Sequence, residues 1–183
     1  LTGATLTGAT LTTAATNLAG ANLTNAIMGG VDLTGATMTG AKLGGATLTN
    51  NADLTNAILN KADLTGADLT SATINGADLT GANLINADLE VANLTGANLT
   101  SADLTGATLT NVVISATTNL TSAKLINADL SSANLSAADL TSIEMAKADL
   151  TGANLASTTL TSANLAGAKL GGANLTGANL TGG

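Results

Sequence analysis

A chain of 183 residues that is 45% apolar yet contains no aromatic residue cannot fill a layered globular core in the usual way, because Phe, Tyr and Trp supply much of the volume there. The absence of Cys and His excludes disulfides and thiolate or imidazole metal sites, and leaves the redox compartment unreadable. A formal charge of −7, from 12 acids and 5 lysines, argues against a nucleic-acid partner.

In chain order, one feature repeats: a large apolar residue every five positions. The series opens with Leu1, Leu6 and Leu11, runs from Leu18 to Leu48, then from Leu54 to Ile114, and closes with Leu120 to Leu180. Nearly all these centres are Leu; the others are Met28, Met38, Ile74, Ile114 and Met145. Two residues before each centre stands Ala, replaced only by Thr16, Val31, Val112, Thr118, Ile143 and Thr158. The position between is mostly Asp, Asn, Thr or Lys, the position after is often Thr, and the one after that is mostly Gly, Asn or Ser.

Residues two apart share one face of extended backbone, so Ala and the centre face inward together while the flanking polar residues face water. Gly and Asn tolerate the positive φ that a tight turn requires. A short strand and a turn in every pentad describe a chain winding around an apolar axis. A helix is excluded, since a period of five matches no 3.6-residue stripe, and a helical Gly costs about 1 kcal/mol. Three breaks interrupt the register, near 12–17, 49–53 and 115–119. Thr16 and Thr118 sit at the first and third, which share a corner, and each is read as a corner bulge whose hydroxyl bonds local backbone.

The motif in Ala77-Asp78-Leu79-Thr80-Gly81 and Ala178-Asn179-Leu180-Thr181-Gly182 resembles the pentapeptide repeat family. The resemblance covers essentially the whole chain, so 1–183 reads as a single solenoid. It implies an all-β fold: a right-handed, four-sided parallel β-helix of about nine coils of four pentapeptides, roughly 43 Å long at the ~4.8 Å strand spacing. Unlike many members of the family, this chain has no Phe at the centre and almost no Arg or Glu. Leu-sized side chains fill so narrow a coil, and burying each contributes about 1.5–3 kcal/mol.

Candidate catalytic groups are Ser, Thr, Lys, Asp and Glu alone. Asp88 and Glu90 flank Leu89 and face outward together, but acid–base chemistry needs a cleft and tuned environments that a convex wall lacks. The chain therefore reads as no enzyme, with no catalytic, cofactor or metal site. Glu144 and Lys147 are expected to form a weak surface pair. Seven Asn-Leu-Thr/Ser sequons, among them Asn22, Asn93 and Asn179, arise from the repeat itself and carry no weight as glycosylation sites.

Sorting the pentads by side places Asp68, Asp88, Glu90, Asp129 and Asp149 on one face, a possible acidic interaction face for a protein partner. In the family this resemblance also implies an alternative, an acidic rod that imitates DNA and binds a type II topoisomerase. Duplex DNA carries one charge per about 1.7 Å, more than −7 supplies, and Lys169 interrupts that face. A second alternative is ice binding through Thr-x-Thr ladders such as Thr5-Leu6-Thr7, Thr108-Leu109-Thr110 and Thr159-Leu160-Thr161. Asp68, Asp88, Glu90 and Asp149 break that ladder.

No apolar run approaches the roughly 18 residues of a membrane span, and no basic-then-apolar leader pattern occurs in these residues. The first residue is Leu1 rather than Met, so the chain is expected to be an ordered portion of a longer product or to have lost its start; the compartment stays unknown. The repeat runs to both ends without a change in composition, so the terminal coils expose apolar core and unpaired strand edges. Leu1, Leu6, Leu175 and Leu180 are the expected end-stacking contacts. The reading favoured is a non-catalytic structural or protein-interaction scaffold that self-associates end to end into dimers or filaments, with no cofactor.

Overall fold

The computed structural model describes residues 1–11 and 16–183. Each pentad contributes one short extended piece, whose polar residue before the centre bridges in parallel to the equivalent residue one coil on. A coil takes 20 residues, as from Asp53 to Thr73; it takes 21 where one residue is inserted, as from Asp32 to Asp53, and 22 from Thr5 to Ile27. Four such pieces per coil make four sides. Side 1 runs from Thr5 to Lys169, side 2 from Thr10 to Asn174, side 3 from Asn17 to Asn179 and side 4 from Asn22 to Asn164. No helix occurs among the described residues, and none long and apolar enough to cross a membrane.

The backbone explains why five residues suffice for a strand and a corner. Around Leu64, the Leu64 N–H donates to Asn83 O at 2.7 Å, the Gly66 N–H to Ile85 O at 2.9 Å, and Asn83 N–H donates back to Ala62 O at 2.9 Å. The corner is closed within the coil by Ala67 N–H donating to Leu64 O at 3.0 Å. The corner is a type II turn, which places its third residue at positive φ. Gly66 has φ 62, and where Gly is missing Lys61, Val91, Ala137 and Lys147 are held at φ 58 to 60.

Inside, the Ala and centre positions from Leu23 to Leu160 are almost all sealed, at 0–2% exposure. Val31, Val112 and Ile143 fit the Ala row without opening it. The breaks are absorbed at corners. The first lies largely outside the described residues, though the Thr16 carbonyl accepts the Thr37 N–H at 3.0 Å. At the second, Asn50 and Asn51 both turn to positive φ, 55 and 59, to pass the extra residue.

The third break is a hydroxyl-built bulge, but the hydroxyl bonds chiefly to the preceding coil rather than to local backbone alone. Thr118, 1% exposed, donates its Oγ1 proton to Leu94 O at 2.8 Å and accepts the Gly96 and Ser115 N–H groups at 3.2 Å each. Elsewhere a corner N–H such as that of Gly76 meets a carbonyl of the next coil, Thr95 O at 2.9 Å. The Thr118 hydroxyl takes that carbonyl's place where the inserted residue has displaced it. The neighbouring rungs stretch, with Ile114 N to Asn134 O at 3.4 Å.

Candidate interaction surface

The four acids Asp68, Asp88, Asp129 and Asp149 occupy one column on side 1, in two adjacent pairs separated by Thr108. Glu90 lies on the same side, one residue beyond Leu89, and is exposed. The aspartates are half-buried because each side chain folds back over its own corner. Asp68 Oδ1 accepts the Thr70 N–H at 3.1 Å and the Thr70 hydroxyl at 2.7 Å; Asp88, Asp129 and Asp149 accept the N–H groups of Glu90, Ser131 and Thr151 at 2.9–3.0 Å. Such Asx turns stabilise the corner locally. Oδ1 of each of these four aspartates is thus engaged by its own corner.

The column ends on a positive charge. Lys169 Nζ donates to Asp149 Oδ2 at 2.9 Å. Hydrogen bonding by Thr151 and then Lys169 lowers the Asp149 carboxyl from 3.8 to about 2, and the bond to Asp149 raises the Lys169 ammonium. On side 4, Lys124 stands 3.8 Å from Asp103. The expected pairing of Glu144 with Lys147 is corrected: Glu144 Oε2 instead accepts Asn164 Nδ2 at 2.9 Å, one coil away. Glu144 lies in a side-4 strand piece while Lys147 turns the corner, so their closeness in sequence does not bring the charges together.

Asn residues follow the same rule as Asp. Asn22, Asn93 and Asn179 accept the N–H two residues on at 3.0–3.1 Å. On side 2, Asn134, Asn154 and Asn174 also form a ladder, in which Asn154 Nδ2 donates to Asn134 Oδ1 and Asn174 Nδ2 to Asn154 Oδ1, at 3.2 Å each. Thr5, Thr47 and Thr108 share side 1 with the acids, which interrupt them. A regular Thr row exists elsewhere. It follows the centres of side 3, from Thr80 through Thr100, Thr121, Thr141 and Thr161 to Thr181. Thr-x-Thr strings do not reveal it, because only one Thr per pentad belongs to it; its signal in the sequence is the residue after each centre, sorted by side. The hydroxyls of Thr80, Thr100, Thr141 and Thr181 donate to the preceding Asp or Asn at 2.6–2.7 Å.

Large apolar residues are exposed along the sides at Ile27, Ile58, Val91 and Val113, and in the terminal coils. Leu1 is 62% and Leu180 43% exposed, and Leu6 and Leu175 are half-buried. Among the described residues no pocket opens, and no three acids stand together as metal ligands would.

The profile of pentapeptide repeats matches in eight copies, over residues 16–50, 50–84, 74–111, 118–146 and 143–182. Among solved structures, HetL, a pentapeptide repeat protein involved in heterocyst differentiation regulation from the cyanobacterium Nostoc sp. strain PCC 7120, is 33% identical. It aligns over 98% of this chain and 86% of its own, with a TM-score of 0.52. A trypsin-treated form of QnrB1, a plasmid-mediated fluoroquinolone resistance protein, aligns over 92% of this chain and 85% of its own. Its TM-score is 0.58 at 20% identity, a likeness of fold alone. No curated protein matches the chain.

Proposed function

The chain belongs to the pentapeptide repeat family, and from that premise we propose that it is a non-catalytic scaffold: a right-handed rod of about nine coils that binds protein along a side and associates with itself at its ends. Its lateral polar groups serve the fold first, since Asp and Asn cap the corners they precede. The observation that carries end-to-end association is the contrast along the core. Centres from Leu23 to Leu160 are 0–2% exposed, whereas Leu1 and Leu180 stand open at 62% and 43%. Apolar surface of this kind is removed from water most simply by another coil. Sedimentation of the 183-residue chain at several concentrations tests the reading. A mass that rises above 17.5 kDa with concentration is expected; a monomer throughout the micromolar range rejects it.

The acidic column supports a second reading, a rod that imitates DNA. In its favour, Asp68 with Asp88 and Asp129 with Asp149 line one side. At one acid per ~4.8 Å coil the column is far sparser than the phosphates of a duplex, one per about 1.7 Å, and Lys169 closes it. A type II topoisomerase supercoiling assay decides: no inhibition at micromolar protein removes this reading. For ice binding the Thr row of side 3 is the relevant surface, and thermal hysteresis of the purified chain is its test.

A further inference from the structure

Charge is shared unevenly among the four sides. Four of the five lysines but only three of the twelve acids lie on side 4 or at its two corners. The strand column of side 4 runs Lys42, Asp63, Asn83, Asp103, Lys124 and Glu144, one residue per coil. Asn83 and Asp103 are half-buried and the other four are exposed. The equivalent columns of sides 2 and 3 carry acids and no lysine, and that of side 1 carries four aspartates with Lys169. An acidic excess on those three sides repels a second copy; side 4 has none.

The order of charges on side 4 is complementary to its own reversal. Consider two rods face to face and antiparallel, related by a twofold axis that lies in the contact plane and crosses between Asn83 and Asp103. Strand column then lies on strand column. Lys42 faces Glu144 of the second copy, Asp63 faces Lys124 and Asn83 faces Asp103, and the twofold repeats each pair. A slide of one coil in one direction puts Lys42 on Lys124 and Asp63 on Asp103. The opposite slide puts Asp63 on Glu144 and Asp103 on its own copy. Parallel rods instead lay the charged column over the residues that follow the centres, which are uncharged on this side.

That uncharged column fits the same register. Thr65, Ile85, Thr105 and Ile126 occupy it in successive coils. The twofold sets Ile85 against Thr105 and Ile126 against Thr65, so the Ile side chains of the two copies alternate along the axis. Both Ile residues are half-buried, and interleaving removes more of their surface from water. Lys42 makes no ion pair among the described residues, and Lys124 stands 3.8 Å from its own Asp103.

We propose that side 4 binds a second copy of this chain, antiparallel, in the register that places Lys42 against Glu144. This rests on the scaffold reading above and not on association at the ends. The contact uses the same surface on both copies, so it closes as a dimer. Its charges fix direction and register more than strength, and salt weakens them.

Sedimentation velocity at low and high salt is the test, with charge reversal at two exposed positions. Lys42→Glu creates two acid-on-acid contacts in the dimer, and Glu144→Lys two lysine-on-lysine contacts. Each variant alone is expected to dimerise at least about tenfold more weakly than the unaltered chain at low salt. In their equimolar mixture the reversed charges meet each other and the unaltered pair meets as before, so affinity is expected to return. The double variant is expected to regain it too. A chain that associates equally well with either reversal overturns the lateral register and leaves end-to-end association standing. Weakening by Lys42→Glu together with strengthening by Glu144→Lys would assign side 4 to the acidic side 1 of the second copy, and the antiparallel pairing would be wrong. A chain that is monomeric at low salt removes lateral and end association alike.

Discussion

Val91 carries the clearest local strain in the rod. It is a β-branched residue at φ 59 on a corner that Ser71 and Asn111 turn in the adjacent coils. The left-handed region costs a residue with a branched Cβ roughly 1–2 kcal/mol, and Asn enters it far more readily. The side chain is 50% exposed, so little apolar burial offsets the strain. Val91→Asn is therefore expected to raise stability by about 1 kcal/mol, read as a higher midpoint in urea with an unchanged slope. Thr118 is the opposite case. Its hydroxyl satisfies Leu94 O and the N–H groups of Gly96 and Ser115 inside the wall. Thr118→Val keeps the shape and strands those groups, at a cost of about 2–3 kcal/mol by the usual penalty for buried unsatisfied polar atoms. A loss smaller than that of an exposed Thr121→Val control would contradict this account. Asp149 provides a pH signature. With its folded value lowered to about 2 from 3.8, its contribution is complete above the unfolded value and is lost as pH falls through the folded one. NMR titration should place the carboxyl near 2, and Lys169→Ala should move it upward.

At the scale of the pentad, neighbours in space are one coil apart, so interactions are written at a sequence distance of about twenty. Lys169 meets Asp149 and Asn164 meets Glu144 on that interval, which is why the nearby Lys147 is not the partner of Glu144. The same stacking makes each centre depend on the coils above and below it. Leu104, 1% exposed, is packed on both sides, whereas Leu175 is half-buried with a coil on one side only. Leu104→Ala is expected to cost about 2–5 kcal/mol, and Leu175→Ala less than half of that. Equal losses in denaturant titration would show that stacking does not transmit stability coil by coil.

For the whole molecule, stability is expected to grade along the axis. Amides between Leu23 and Leu160 belong to coils sealed at 0–2% exposure, while those beyond Leu165 and up to Leu11 belong to coils with a described neighbour on one side only. Hydrogen exchange should be slowest in the middle and fast at both ends, as it is wherever local opening exposes little surface. Raising the concentration should slow exchange at Leu170 and Leu175 N–H if ends associate, with the central amides unaffected. Protection that is uniform from end to end at low concentration would argue against open terminal coils.

The amino-acid pattern settles the family and the division of each pentad into inward Ala and centre, outward polar residue and positive-φ corner, whereas the four sides came first from the family resemblance and then from the bridges about twenty residues apart. It could do so because five-residue periodicity is a local code: each position meets the same backbone conformation in every coil, so composition at that position reports burial or φ directly. The alignment of Asp68, Asp88, Asp129 and Asp149 was legible for the same reason, by counting pentads in fours. Tertiary structure alone decided what those side chains do. Whether an Asp accepts its own corner N–H, reaches a Lys one coil away or stands beside a Thr depends on inserted residues and on contacts between turns of the chain. So does the conversion of Thr118 from an irregular member of the Ala row into the acceptor that replaces a displaced carbonyl. These are interactions between coils, and a periodic sequence specifies which residue types face outward without specifying which of them meet.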